Sequence, residues 1–403
     1  MTEPALHSPV AAEPATPPAA DPRRRTAVVP REAAVDNLRV ALSALVVAHH
    51  ALQPYGFNQN WWVIERVPPA PVLGLFLWVN ACFFMGLFFL IAGLFTPGSV
   101  DRKGIGAYVR DRNRRLGIPL LFGFFVMLPP LGWYAHLHNR QMGWVPFSEY
   151  FVHFWLGVGP RPADWPDPHW PDGHFGHLWF LEHLLLYGLL YALWRKLRPR
   201  RGPAGGPPPS NTAIALYAVC LGVVSWAVRL WCPMNAWTGL FGFIQSEPAH
   251  LPQYASLFAI GVLAGRRGWF ASLPAATGWR WLGIGVAAAL FGCVRGAATG
   301  GIAVNSLDTC LVEAFVCTGL SVGLLVACRE RWNGAGWVSA LAPDTYAVYV
   351  FHVPVLVALQ RALLSVPLSA LGKAAIVVPA GIVLSFALCH FVVRRLPGAR
   401  RVF

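Results

Sequence analysis

Phe83–Ser99 reads FFMGLFFLIAGLFTPGS, and the wider run around it, 72–97, contains no charged side chain. A soluble helix needs a polar face to meet water, and this run offers none. Its length matches the roughly 20 residues a helix needs to cross the hydrocarbon core of a bilayer. The run is read as a membrane span, and similar runs recur along the chain. The ten expected spans are 36–56, 72–97, 117–136, 177–195, 212–231, 251–266, 280–299, 307–328, 340–363 and 373–394. Whole-chain composition agrees, with 56% apolar and 12% charged residues and a mean hydropathy of +0.48. An ordinary globular domain carries about 25% charged residues. The expected fold class is an all-α polytopic membrane protein with about ten transmembrane helices.

Residues 1–32 are rich in Ala, Pro, Thr and Glu and turn basic at Arg23, Arg24 and Arg25. No apolar stretch of the signal-peptide kind follows that basic cluster, so a disordered cytoplasmic N-terminal tail is expected. The membrane domain is expected over 33–395, with a cytoplasmic C-terminal tail at 396–403. Within the domain lie an external loop at about 137–176 and a basic Pro/Gly linker at about 196–211, which includes KLRPRRGPAGGPPPS from Lys196 to Ser210. The chain shows no internal repeat.

The net charge of +14 is spread over short loops instead of gathered on one face, so no nucleic-acid partner is expected. Its distribution carries topological information. Of the 32 Lys and Arg residues, 25 fall on alternate loops; Arg66, Arg140, Arg161, Arg229, Arg295, Arg361 and Lys373 are left for the other side. Cytoplasmic loops retain positive charge during insertion, so both termini are expected in the cytoplasm of a multi-pass inner-membrane protein. The eight cysteines form no CxxC pair and sit mostly in apolar runs, where they read as small hydrophobes.

Ionisable residues within a span cost on the order of 2.5–3.5 kcal/mol each and mark function more often than structure. Span one, VDNLRVALSALVVAHH (Val35–His50), holds Asp36, Arg39, His49 and His50. Arg39 and His50 fall about 20° apart on one helix face and roughly 16 Å apart along its axis, with Asp36 about 40° from His50. A cytoplasmic Arg39 and a deep His50 suit a grip on an anionic donor with a general base further along one channel. Arg39 alone equally suits a snorkelling anchor. His49 points about 100° from His50 and is expected to do something else.

A second set lies in DRKGIGAYVRDRNRRLGIP (Asp101–Pro119), where Arg112 and Arg115 stand one helical turn apart. Paired guanidinium groups at that spacing suit a pyrophosphate or 3′-phosphate. Positive-inside charge and lipid headgroup contact are the competing reading.

The pattern as a whole resembles the acyltransferase-3 family of membrane acyltransferases. DNLR followed by His50, the stretch FFMGLFFLIAGLFTPGS, RNRRLGIP, HLWFLEHLLLY and DTYAVYVFHVP are similar to family elements and occur in family order over about 33–395. Within the family the chain resembles the glucan-biosynthesis protein C branch. The resemblance implies that His50 is the catalytic histidine, deprotonating an acceptor hydroxyl or briefly carrying the acyl group. It implies that Arg39 positions the donor and that Arg112 and Arg115 hold acyl-CoA phosphates. Acyl-CoA, a glycan or other hydroxyl acceptor and the lipid bilayer are the implied partners, with no tightly bound cofactor.

Glu182 in span four is a candidate for orienting the acceptor or His50. Tyr349 and His352 in span nine are supporting candidates, although a core hydrogen bond also accounts for His352. Asp308, Glu313 and His390 are further intramembrane polar groups without an assigned role. The external loop carries His136, His138, His153, His169, His174 and His177 with Asp164, Asp167 and Asp172. Their spacing is irregular and lacks HExxH, so no metal is expected; a Trp- and Asp-lined surface for sugar rings fits better. A transporter or flippase for an anionic or glycan substrate is the alternative function, since intramembrane Arg, His, Asp and Glu would serve it too.

Overall fold

The computed structural model describes residues 33–56, 61–140, 142–166, 170–199, 205–240 and 244–403. The expected tail 1–32, Asp167, His169, Arg200 and Arg201 lie outside the described residues.

Ten helices of 17 residues or more occur among the described residues, one at each expected span. They are α1 Ala33–Leu52, α2 Pro71–Lys103, α3 Ile105–Asn139, α4 Trp179–Leu197 and α5 Asn211–Arg229. The others are α6 Leu251–Arg267, α7 Ala275–Ala298, α8 Leu307–Arg331, α9 Thr345–Leu363 and α10 Ala370–Phe391. A two-stranded antiparallel hairpin, β1 Thr238–Leu240 and β2 Ile244–Ser246, sits between α5 and α6 with Gly239 opposite Gln245.

Seven helices are long and apolar enough to cross a membrane: α2, α3, α5, α7, α8, α9 with the segment from Trp337, and α10 continued to Arg395. The chain is a multi-pass helical membrane protein. The other three fall short for local reasons. Helix α6 has 17 residues. Helix α1 carries Asp36, Asn37, Arg39, His49 and His50, and α4 carries Glu182, His183, Arg195 and Lys196. These polar groups are tolerable in α1 because it packs against α2, α8, α9 and α10, so neighbouring helices meet most of its surface.

The basic stretch before span three is itself helical. Gly104, with φ +77°, ends α2 in a backbone region that favours glycine, and α3 starts at once. Two π-helical turns, Asn113–Gly117 and Gly123–Met127, interrupt its α-helical geometry, a feature frequent near functional sites. Asp111 gathers the charges there, accepting from Lys103 at 2.7 Å and Arg114 at 3.1 Å.

Close packing in the back half of the bundle depends on glycine. A Cβ added to Gly319 of α8 would lie 2.6 Å from the Gly285 Cα of α7. Small residues at such a crossing let two backbones approach, and van der Waals contact then holds the helices together in lipid. Polar residues reinforce it: Arg229 of α5 donates to Glu313 of α8 at 2.6 Å, and the Trp78 indole of α2 donates to the same carboxylate at 2.9 Å. Asp308 pairs with Arg295, and His390 with Asp344 at 2.9 Å.

Candidate active site

Helices α1 and α9 bring two imidazoles together. His50 Nδ1 lies 2.8 Å from His352 Nε2. The proton positions follow from the next partners in the chain. His352 Nδ1 lies 2.8 Å from the Tyr349 carbonyl and 3.1 Å from the Val348 carbonyl. Carbonyls only accept, so Nδ1 of His352 carries the hydrogen and, in a neutral ring, Nε2 is an acceptor. His50 Nδ1–H then donates to it, which assigns the Nε2 of His50 as a lone-pair nitrogen.

A third imidazole stands beside this pair for a reason visible in the sequence. Pro354 lacks the N–H that would bond the carbonyl four residues back, that of Val350. His177 fills the gap, donating from Nε2 to the Val350 carbonyl at 3.0 Å. The Tyr349 hydroxyl donates to the His177 backbone carbonyl. The His177 ring centre is 5.0 Å from that of His352 and 6.4 Å from that of His50. His49 turns away: its ring packs 4.9 Å from Phe84 of α2, with Nε2 3.0 Å from Gln53 Nε2. Among the described residues, no three His, Cys, Asp or Glu side chains are placed to hold a metal ion.

The basic groups gather at the opposite end of the same helices. Arg39 pairs with Asp36 at 3.7 Å, eleven residues before His50 and so about 16 Å along α1. The Tyr346 hydroxyl donates to the Arg115 carbonyl, which ties the start of α9 to the basic stretch of α3. Tyr346 stands six residues before His352, about 9 Å along α9. The Arg115 side chain is half exposed and 3.7 Å from Asp111, while the Arg112 guanidinium lies 5.1 Å over the Tyr108 ring. One end of the site therefore offers exposed guanidinium groups and the other an imidazole whose Nε2 carries a lone pair.

The loop between α1 and α2 covers the imidazoles. Trp61 stacks on His50 with ring centres 5.2 Å apart and planes inclined by 16°. Further out, Arg140 forms a two-pronged pair with Asp172 at 2.6 and 2.7 Å, joined by the Tyr150 hydroxyl at 2.5 Å. Burial works to raise the Asp172 pKa, but the hydrogen bonds and charge of Arg140 outweigh it and hold the carboxyl below the usual carboxylate range. Glu182 is buried against β2, accepting from the Gln245 N–H at 3.2 Å; its described hydrogen bond is made there and not to His50.

The sequence reading thus named both members of the imidazole pair without pairing them, and it missed Trp61 and Gln360. Gln360 is a lone amide in an apolar span, and its polarity was the available signal. Nothing in a loop tryptophan announces that it will lie on a histidine.

A family model described as an acyltransferase domain matches residues 32–393, nearly the whole helical bundle, so the chain is an acyltransferase. It belongs to the acyltransferase-3 family of membrane acyltransferases. It is similar to the glucans biosynthesis protein C of Salmonella gallinarum, of Salmonella heidelberg and of Salmonella typhimurium, each 25% identical over 243 residues. The match spans 58% of this chain and 58% of each relative's length. No solved structure matches the chain.

Proposed function

We propose that this acyltransferase moves an acetyl or succinyl group from cytoplasmic acyl-CoA to a hydroxyl of a glycan, with His50 as the proton-accepting base. The observation that carries the reading is the His50–His352 hydrogen bond, because its direction leaves the Nε2 of His50 free for a substrate proton. The hydroxyl oxygen attacks the thioester carbonyl while Nε2 takes its proton. The carbon–sulfur bond then breaks, and the CoA thiolate leaves and recovers that proton. While His50 is charged, its Nδ1–H remains donated to His352, whose own Nδ1–H is committed to backbone carbonyls. General base catalysis of this kind contributes about 10²–10⁴-fold.

The donor enters with its phosphates on Arg112 and Arg115 and near Arg39, and its thioester reaches inward. All ten helices span the inner membrane in this reading, with both termini in the cytoplasm, as the Lys/Arg bias supports. Glu182 and β2 shape the acceptor side. A glucan acceptor is supported by the printed name of the Salmonella relatives and by the Trp-rich outer loop.

Purified protein in nanodiscs with radiolabelled acetyl-CoA or succinyl-CoA and a glucan oligosaccharide tests the donor site. Arg115→Ala is expected to raise the KM for the donor about tenfold, the loss of one charge-assisted contact. An unchanged donor KM in both Arg112→Ala and Arg115→Ala would remove the arginines from the donor site. Glucan moved across vesicles without any CoA dependence would favour a flippase.

A further inference from the structure

We infer that Trp61 and Gln360 form a positioning bracket that fixes His50, one from the outer loop and one from α9. The inference rests on the reading of His50 as the reacting base.

Helix α1 ends at Leu52, and Pro54 follows in a short 3-10 turn. Pro54 lacks the N–H that would bond the His50 carbonyl, and the carbonyls of a last helical turn need other donors. Gln360 supplies them: its Nε2 donates to the His50 carbonyl at 3.3 Å and to the Ala51 carbonyl at 3.1 Å. Its amide orientation is set by the third contact, since the Trp61 Nε1–H donates to Oε1 at 2.8 Å. An amide in which Nε2 donates twice while Oε1 accepts cannot flip without losing all three bonds. Gln360 is 1% exposed, so water does not compete for them.

The same tryptophan covers the His50 ring itself. Backbone and ring of one residue are therefore held by two side chains that also hold each other. Trp61 is in turn anchored through its loop. Glu65, in the same loop, accepts from the fully buried Lys373 at 2.9 Å and from the N–H groups of Arg66 at 2.8 Å and Val67 at 3.4 Å. The Trp62 carbonyl accepts from Asn139 at 3.1 Å. An outer loop needs no such fastening to join two helices, but a bracket on a reacting side chain does. A misplacement of about 1 Å at a reacting group costs about 10²-fold in rate.

The test pairs a chemical probe with turnover, on the full chain in nanodiscs. Diethyl pyrocarbonate acylates the unprotonated imidazole nitrogen, and mass spectrometry reads its rate at each histidine. Trp61→Ala is expected to raise labelling of His50 at least about fivefold by uncovering its ring, with the buried His136 and His183 still protected. In the same variant the rate of CoA release should fall about 10²-fold with the donor KM unchanged, because Arg39 lies about 16 Å away along α1 and Arg112 and Arg115 stand on α3. Trp61→Phe keeps the stack and should recover most of that loss. Gln360→Glu accepts from Trp61 but cannot donate to the carbonyls, and should behave like Trp61→Ala in turnover. His50 labelling that stays at the wild-type rate, or that rises only together with His136 and His183, overturns the bracket. His50→Ala run alongside separates the two ideas: full transfer there sinks the base assignment and leaves the labelling result standing.

Discussion

His352 is buried with its Nδ1 committed to two carbonyls, so its one free nitrogen has a single use, to accept from His50. Removing that acceptor frees the His50 ring to rotate and to exchange tautomers. His352→Ala is expected to lower turnover about 10²–10³-fold at unchanged donor KM, as expected for loss of base alignment. His352→Gln, which can present an amide oxygen, should recover part of it. A donor KM that moves together with kcat would assign His352 to donor binding instead. Asp172 gives a prediction at the same scale. Its folded-state pKa lies below the value in the unfolded chain, so the Arg140 pair stabilises the loop between α3 and α4 at neutral pH. That stabilisation is lost as pH falls from about 4 downward through the folded-state value. Hydrogen exchange at Tyr150–Trp155 should accelerate over that acid range in the wild type. In Asp172→Asn it should be fast already at pH 7, with about 3 kcal/mol of local stability gone; identical exchange in the two proteins at pH 7 would contradict the assignment.

The helices separate two requirements. Seven helices hold a window long and apolar enough to cross a membrane, whereas α1 and α4, which carry ionisable groups, are too polar to be taken for spans on composition alone. Their helical positions were legible because the apolar runs and the alternating Lys/Arg loops pointed to the same boundaries. The helical start of α3 was not, because Arg- and Asp-rich residues resemble a loop until Asp111 is seen drawing Lys103 and Arg114 together. The β1–β2 hairpin was equally hidden: six residues of pairing between two spans leave no periodic signal. Packing between α7 and α8 yields a test at this scale. Gly319→Leu would drive a side chain into the Gly285 backbone and should remove the folded, monodisperse protein from detergent extracts, while Gly283→Leu, at a site open to added volume, should leave it intact. Equal yields of both variants would show that this crossing tolerates separation.

At the scale of the molecule, two chemistries are separated along α1 and its neighbours. Exposed guanidinium groups lie at the starts of α1 and α3, and the imidazole pair lies deep between α1 and α9. The sequence carried the ingredients in order, and helical spacing alone separated Arg39 from His50 by about 16 Å. What spacing could not supply was the meeting of residues about 300 positions apart, such as His50 with His352 or with Gln360. Those contacts depend on how α9 lies along α1. The absence of an N–H at Pro54 explains the Gln360 contact in retrospect, and that at Pro354 explains the contact of His177 with the Val350 carbonyl, because each proline frees a carbonyl that a distant side chain then fills. The orientation is testable apart from the chemistry. A fluorescent protein fused after Phe403 should fold and glow, and an alkaline phosphatase fused there should be inactive, if the C-terminus faces the cytoplasm; the opposite pair of results would invert the bundle.

The central claim is that the free nitrogen of His50 takes the proton of an acceptor hydroxyl during acyl transfer. The most direct measurement is single-turnover transfer of radiolabelled acyl groups from acetyl-CoA and succinyl-CoA to a glucan oligosaccharide, comparing wild type with His50→Ala in nanodiscs at matched folded protein. The wild type should use one donor, and His50→Ala should retain donor binding while losing transfer by at least about 10²-fold. Transfer at the wild-type rate in His50→Ala would contradict it.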